Sequence, residues 1–373
     1  MIKILNIITD TNIGGAGNVL LNFMKKTDRE EFDHTVIVPE NARLAPLLRD
    51  LGVNVVEIAG IAEKSVSVRA FSTFIKIYKE LRPDLVHTHA SLTARFAAKL
   101  RRNKVTTVHT RHCFYPQGRL KTSFPIKHII GFANNRLSDR MIAISPAVYD
   151  NLVETGADRG KIVTMYNGVE PIRTLSDEEK TAVRISFGIN DSEFVCAVIA
   201  RLVPEKGHRY ILEAAGMLRD LPIRFIIAGE GPSGNGLRAA AGSLGLTNCI
   251  FAGFIGDISS IFNIIDLQLN ASYGTEASSL SLMEGMSLGV PAAVSDYGGN
   301  PYLVTNGENG IVVPKQDSAL LAGAIRSLYE DPETLLRMRE NALRIYNERF
   351  TAAIMAANIE QVYREALNVE CRM

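Results

Sequence analysis

The chain has 373 residues, is 46% hydrophobic and 22% charged, and carries a formal net charge of +1. That length exceeds what one core ordinarily serves, so two domains are expected, in a composition typical of soluble globular proteins. Four scattered cysteines without C-x-x-C spacing argue against a disulfide framework or a zinc site and fit a reducing compartment. No apolar run approaches a membrane span, and Met1-Ile2-Lys3-Ile4-Leu5 opens directly into a strand, so no export signal is expected.

The near-zero charge conceals an asymmetry. Residues 1–170 hold 24 Lys+Arg against 16 Asp+Glu, and the remainder holds 17 against 24. Between 95 and 140 stand 11 Lys+Arg and a single acid, Asp139. Charge alone does not decide between an anionic partner and a soluble surface.

In chain order, residues 3–8 read as a buried strand. Residues 9–17 form a loop with Gly14-Gly15-Ala16-Gly17, and 18–25 an apolar helix start. Such a loop lets backbone approach a ligand, or simply meets the geometry of a strand–helix turn. Strands follow at 34–38, 53–58, 84–89, 106–109, 141–144 and 162–165, with helical patterns at 66–81, 92–102 and 124–137. The polar stretch 171–180 reads as a linker, with Ser176-Asp177-Glu178-Glu179 starting a helix. The rhythm then restarts, with strands at 194–200, 224–228, 249–252, 267–270, 291–294 and 310–313 and helices at 208–219, 236–244, 279–288 and 318–329. Residues 332–367 read as helical throughout. This alternation predicts an α/β protein of two doubly wound, Rossmann-like domains, each with a covered parallel sheet, facing across a cleft. Ligands are expected at the carboxyl ends of the strands.

Several constellations fall on those ends. Arg201 and Lys206 follow the first strand of the second half, where a guanidinium and an ammonium suit a diphosphate. Glu276 and Glu284 stand eight positions apart, one in a loop and one on the helix that Ser278 or Ser279 is expected to cap. With backbone amides at that helix start holding phosphate, two glutamates there could hold polyol hydroxyls; read alone, they are equally a loop carboxylate and a solvated helix residue. Gly229-Glu230-Gly231-Pro232-Ser233-Gly234 matches a dinucleotide fingerprint, but no acid stands about 20 residues on to hold a ribose. His87 and His89 share a strand face at a spacing metals can use, yet no third ligand and no D-x-D triplet appear. His112 ends the strand after them and could hydrogen-bond a substrate. Residues 113–132 mix aromatics, aliphatics and cations in the manner of a segment lying on an anionic membrane, or of an ordinary surface helix. Nucleic-acid binding is not expected, since tryptophan is absent and no known module pattern is found.

Taken together these residues resemble glycosyltransferase family 4, retaining enzymes of the two-domain GT-B fold. The most specific part is the E-x7-E stretch from Glu276 to Glu284 with its helix and Gly289-Val290-Pro291. In the family's order stand Gly14-Gly15-Ala16, His87-Thr88-His89, His109-Thr110-Arg111-His112, Asn167-Gly168-Val169, Arg201-Leu202, Glu205-Lys206-Gly207, Gly229-Glu230-Gly231-Pro232 and Asp296-Tyr297-Gly298-Gly299. The resemblance implies domains at 1–170 and 171–350, with 351–373 crossing back to the first. It implies that Arg201 and Lys206 bind the donor diphosphate, Glu276 the sugar hydroxyls and Glu284 the ribose. It also assigns backbone at Ala277, Ser278, Ser279 and Leu280 to sugar and phosphate, and Ile255 to the base. Gly15 and His112 are assigned from the first domain. No metal or other cofactor is implied, the nucleotide sugar being a substrate. The implied reaction moves a hexose from a UDP-linked donor to a glycan or lipid-linked acceptor, in the cytoplasm or at the inner membrane face, in cell-surface polysaccharide or glycolipid assembly. A GT-B epimerase, a pyridoxal-dependent sugar phosphorylase and a non-catalytic membrane or glycan-binding protein are the competing readings. Two departures, Asn300-Pro301-Tyr302 where the family carries a glutamate and Ala277-Ser278-Ser279 where a glycine is common, bear on sugar choice.

Overall fold

The computed structural model describes residues 1–100, 105–114 and 119–368. Seven strands build the first sheet: β1 (Ile2–Ile7), β2 (Phe32–Pro39), β3 (Asn54–Ile58), β4 (Leu85–Thr88), β5 (Thr106–Arg111), β6 (Arg140–Ala143) and β7 (Ile162–Thr164). Six build the second: β8 (Phe194–Ile199), β9 (Ile223–Ala228), β10 (Cys249–Gly253), β11 (Leu267–Asn270), β12 (Ala292–Ser295) and β13 (Gly310–Val313). The strand orders are β3-β2-β1-β4-β5-β6-β7 and β10-β9-β8-β11-β12-β13. Their pairings are parallel, for example Ile4 opposite both His34 and Leu85, and Cys196 opposite both Phe225 and Leu267. Buried on both faces, strands such as Phe194–Ile199 are continuous apolar runs rather than alternating ones.

Both orders reverse direction once. The reversal falls between β1 and β4 in the first sheet and between β8 and β11 in the second. At such a switch point the two loops leaving the carboxyl ends diverge, and a crevice opens for a ligand. Gly14 and Gly15 leave β1, and His89 leaves β4. Arg201 and Lys206 leave β8, and Glu276 follows β11.

Two units result: residues 1–168 joined by the helix Ala352–Leu367, and residues 169–351. The segment 171–176, read as linker, is tied into the second unit, where Ile172 N donates to Ser287 Oγ (3.0 Å) and Leu175 N to Asn263 Oδ1 (2.9 Å). Ser176 and Glu179 then form a reciprocal capping box on the helix Asp177–Ser186.

Three expectations need correction. The first helix begins at Gly15 rather than at 18, so Gly15, Ala16 and Gly17 form its first turn; Asn18 N donates to Gly14 O at 3.0 Å. Burial of Val19, Leu20, Phe23 and Met24 outweighs the poor helix propensity of the glycines. The stretch 332–367 is two helices, Pro332–Arg349 and Ala352–Leu367, broken at Phe350 and Thr351. Thr351 there forms a bridge with Val169, and Val169 N donates to Phe350 O (2.9 Å). Finally, the helices Leu44–Asp50 and Pro146–Glu154 stand where no helical pattern was singled out.

Candidate active site

In the second unit the loops after β8 and β11 are locked together. Tyr273 N donates to Glu205 O at 2.9 Å. Gly207 has a φ of +72°, and a β-carbon there would lie 2.0 Å from Ala271 O, so only glycine fits. Lys206, on the one-turn helix Pro204–Lys206 just before it, is thereby aimed at Glu276. The Lys206 ammonium meets Glu276 Oε2 at 2.7 Å. Asn270 Nδ2 (3.1 Å) and Ser272 Oγ (3.0 Å) donate to the same oxygen. Glu276 is only 4% exposed, so its loop position does not make it a solvated loop carboxylate. Three donors on one oxygen stabilise the buried charge.

The loop around Glu276 is clamped from the far side. A β-carbon on Gly298 would sit 2.0 Å from Glu276 O, and one on Gly299 2.1 Å from Ala277 O. Gly299 N donates to Glu276 O (2.9 Å), and the Tyr297 hydroxyl donates to Gly274 O. Asp296-Tyr297-Gly298-Gly299 thus fixes the path of the main chain through 276 and 277.

Arg201 is exposed and its side chain makes no hydrogen bond or ion pair among the described residues. Glu284 lies on the helix Leu280–Met286. Its carboxylate also lacks a partner among the described residues, and burial pushes it up to about 7. Ser279 occupies the N-cap, but neither Ser278 nor Ser279 caps the helix as expected. The Ser279 hydroxyl pairs with Ser281 Oγ (3.2 Å), and Ser278 Oγ is buried without a protein partner. Ile255, two residues beyond β10, packs its side chain against the core of this unit.

The Gly229–Gly234 fingerprint has an internal explanation. A β-carbon on Gly229 would lie 2.0 Å from Ala200 O, and one on Gly231 2.4 Å from Leu202 O. These glycines let the loop after β9 press on the loop after β8, which bears Arg201.

In the first unit a histidine chain follows the β4/β5 edge. His89 Nδ1 and His112 Nε2 are 2.8 Å apart, and their rings stack at 5.1 Å. His87 is fully engaged, Nδ1 with the Tyr363 hydroxyl (2.6 Å) and Nε2 with Thr110 Oγ1 (2.7 Å). It is a packed residue. Burial lowers His112 to about 4 and His87 to about 3, so both are neutral near pH 7. Among the described residues no three His, Cys, Asp or Glu converge as metal ligands. Gly14 and Gly15 have no positive φ, and a β-carbon on either meets nothing within 4 Å, unlike Gly207, Gly229, Gly231, Gly298 and Gly299. The chain's own packing does not demand glycine there.

Of the segment 113–132, residues 115–118 lie outside the described residues, as do 101–104. The helix Ile126–Leu137 leaves Ile129 and Phe132 exposed, with Phe124 exposed just before it. Asn270 and Ser272, which hold Glu276, were not singled out from sequence. The available signal was a polar Asn270 closing the strand Leu267–Asn270 and a serine two residues beyond it.

Residues 13–173 match the family model for Glycosyltransferase Family 4, and residues 179–344 match that for Glycosyl transferases group 1. The chain belongs to glycosyltransferase family 4. Among its relatives is the UDP-Gal:alpha-D-GlcNAc-diphosphoundecaprenol alpha-1,3-galactosyltransferase of Escherichia coli, 27% identical over 88% of each chain. The D-inositol 3-phosphate glycosyltransferase of Corynebacterium efficiens is 25% identical over 89% of this chain and 84% of its own length. The fold matches HepE of Anabaena, solved with UDP, with a TM-score of 0.85 and 21% identity over 98% of this chain and 100% of that one. This family 4 chain is accordingly a glycosyltransferase of the GT-B fold, with two Rossmann-like domains, acting in glycan biosynthesis.

Proposed function

We propose that this glycosyltransferase moves a hexose from a UDP-linked donor to an acceptor hydroxyl with retention at the anomeric carbon. The observation that carries the reading is the ion pair of half-buried Lys206 with buried Glu276 at the β8/β11 switch point, on the same β8 exit as Arg201, whose side chain has no partner among the described residues. Arg201 and Lys206 hold the diphosphate and stabilise the charge that grows on it as the glycosidic bond breaks. Lys206 has three donors, of which Glu276 uses one. Glu276 offers its second oxygen to sugar hydroxyls. Glu284 takes the ribose, and main chain at Ala277, Ser278, Ser279 and Leu280 takes sugar and phosphate. Ile255 meets the base through its backbone. The relative named for UDP-Gal supports the choice of nucleotide.

In the proposed step the bond from the anomeric carbon to the diphosphate oxygen breaks while the acceptor oxygen bonds on the same face. The acceptor's proton passes to the departing diphosphate. The protein supplies position and charge, without a covalent intermediate. Gly15 and His112 are the first unit's residues assigned to substrate, His112 acting as a neutral hydrogen-bonding imidazole.

Arg201 gives the cleaner test, because its side chain makes no bond among the described residues. Arg201→Ala should leave the melting temperature unchanged and lower UDP affinity by about tenfold or more, the loss of one charge-assisted hydrogen bond. Lys206→Ala should lose most turnover, but it also strips a buried carboxylate of its cation and destabilises the unit. Unchanged UDP affinity in Arg201→Ala, or no thermal shift of the wild type in a panel of nucleotides and nucleotide sugars, refutes the reading.

A further inference from the structure

The first unit holds a buried imidazole to which the proposed reaction gives no part. β4 and β5 pair with Thr88 opposite His109, so the two strands end side by side, and His89 and His112 each stand one residue beyond an end. His89 is 7% exposed, whereas His112 is half-buried. The position of His89 is fixed from two sides. Its main-chain N donates to Ile7 O (2.9 Å), and its ring packs on that of His87, with centroids 4.4 Å apart. His87 is itself held at both nitrogens, by Tyr363 and Thr110.

The four ring nitrogens of the pair differ in what they meet. His89 Nδ1 faces His112 Nε2 at 2.8 Å. Among the described residues His89 Nε2 is buried without a partner, and His112 Nδ1 makes no bond. Burial lowers the pKa of both, so both rings are neutral and each carries one N–H. A single proton therefore lies between His89 Nδ1 and His112 Nε2, and its owner fixes both tautomers. If His112 donated, the proton of His89 would sit on Nε2, an N–H shut away from any acceptor. His87 offers none, since both its nitrogens are engaged. If His89 donates, its orphan atom is a bare lone pair, and a buried N–H without an acceptor is the rarer defect. His112 then keeps its own proton on Nδ1, the atom left free.

We propose that His89 is a positioning residue: it donates Nδ1–H to His112 Nε2 and so holds His112 in one tautomer, with its N–H on Nδ1 for a substrate oxygen. A donor already aimed needs no reorganisation when charge develops on that oxygen. That this N–H meets substrate rests on the transferase reading above; the tautomer does not.

The test is proton–nitrogen correlation NMR of the imidazole rings near pH 7, on the full chain isotope-labelled at its histidine nitrogens. Loss of signals in His112→Gln identifies the His112 ring. His109, whose Nδ1–H donates to Thr88 O (3.1 Å), supplies an internal example of the Nδ1–H form. His112 should show the same pattern, a protonated Nδ1 and a bare Nε2. His89→Leu removes the donor and should release His112 into a mixture of both forms. His89→Asn, whose side-chain amide can donate from the place of Nδ1, should restore the single form. With the nucleotide sugar selected by the thermal-shift panel, kcat for UDP release should fall about tenfold in His89→Leu at unchanged UDP affinity, and His89→Asn should recover most of that loss. The proposal is overturned if wild-type His112 carries its proton on Nε2, if His89→Leu leaves the Nδ1–H form undisturbed, or if the Leu and Asn variants lose turnover alike, the mark of a merely structural role. An Nδ1–H form together with wild-type turnover in His112→Gln would sink the substrate assignment of His112 alone.

Discussion

Glu284→Gln isolates the cost of a carboxylate held ready in a poorly solvated place. Burial moves this group from the ordinary glutamate value of 4.5 to about 7. The folded state therefore holds its proton more tightly than the unfolded chain does. Stability from this group is intact below pH 4.5, falls as pH rises from 4.5 to 7, and is level above. The full displacement corresponds to on the order of 3 kcal/mol, an upper figure because the side chain keeps some access to water. Glutamine does not titrate, so the variant should match wild type at pH 4.5 and exceed it by about 2–3 kcal/mol at pH 8 in urea unfolding. Ligand binding reverses the preference. If ribose hydroxyls donate to Glu284, UDP favours the ionised form, and its affinity should rise about tenfold between pH 6 and pH 8. The phosphate of UDP titrates in the same range, with a pKa of about 6, but equally for both proteins, so the variant subtracts it. Equal pH profiles of stability in the two proteins would refute the burial argument. Equal profiles of UDP affinity would refute the ribose role while leaving the burial argument intact.

Two further outcomes are expected. Gly15→Leu should fold normally, since its β-carbon meets nothing within 4 Å, yet lose most turnover because the space serves a substrate; wild-type turnover at saturating donor and acceptor would remove Gly15 from the site. Glu360→Ala should destabilise the first unit by about 2–3 kcal/mol, because Thr27 Oγ1 (2.9 Å) and Asp28 N (2.7 Å) both donate to its carboxylate in a buried position. Glu360→Gln, which keeps an acceptor there, should recover much of that loss in urea unfolding, and a loss under about 0.5 kcal/mol in the alanine variant would contradict the account.

The alternation of apolar runs with helical patterns was legible because buried parallel strands such as Phe194–Ile199 are written as unbroken hydrophobic stretches. Helix ends were less so. The start at Gly15 is set by tertiary burial against intrinsic preference, and nothing local at Phe350 distinguishes a break from a continuing helix. The switch-point residues could be placed at carboxyl strand ends from the alternation of strands and helices, but their state could not. Glu276 is a buried ion because Lys206 arrives from 70 positions away, and that meeting depends on Gly207 and Gly274 letting two loops touch. Arg95 was invisible for the converse reason. A cation on a short helix reads as solvated, and only the packing of Ser138 and Asn134 against it shows that it is buried.

The helix Ala352–Leu367 gives the chain a peculiar order of assembly. Tyr363 packs among Phe23, Phe32, His34 and His87, with ring centroids 5.5–6.5 Å away. The first unit thus lacks part of its interior until nearly the whole chain has left the ribosome, whereas the second is one uninterrupted run, 169–351. During synthesis the later-made half can complete its core first, while the earlier-made half waits with aromatic surface uncovered. A nascent chain stalled before residue 352 is the form most exposed to chaperones and to aggregation.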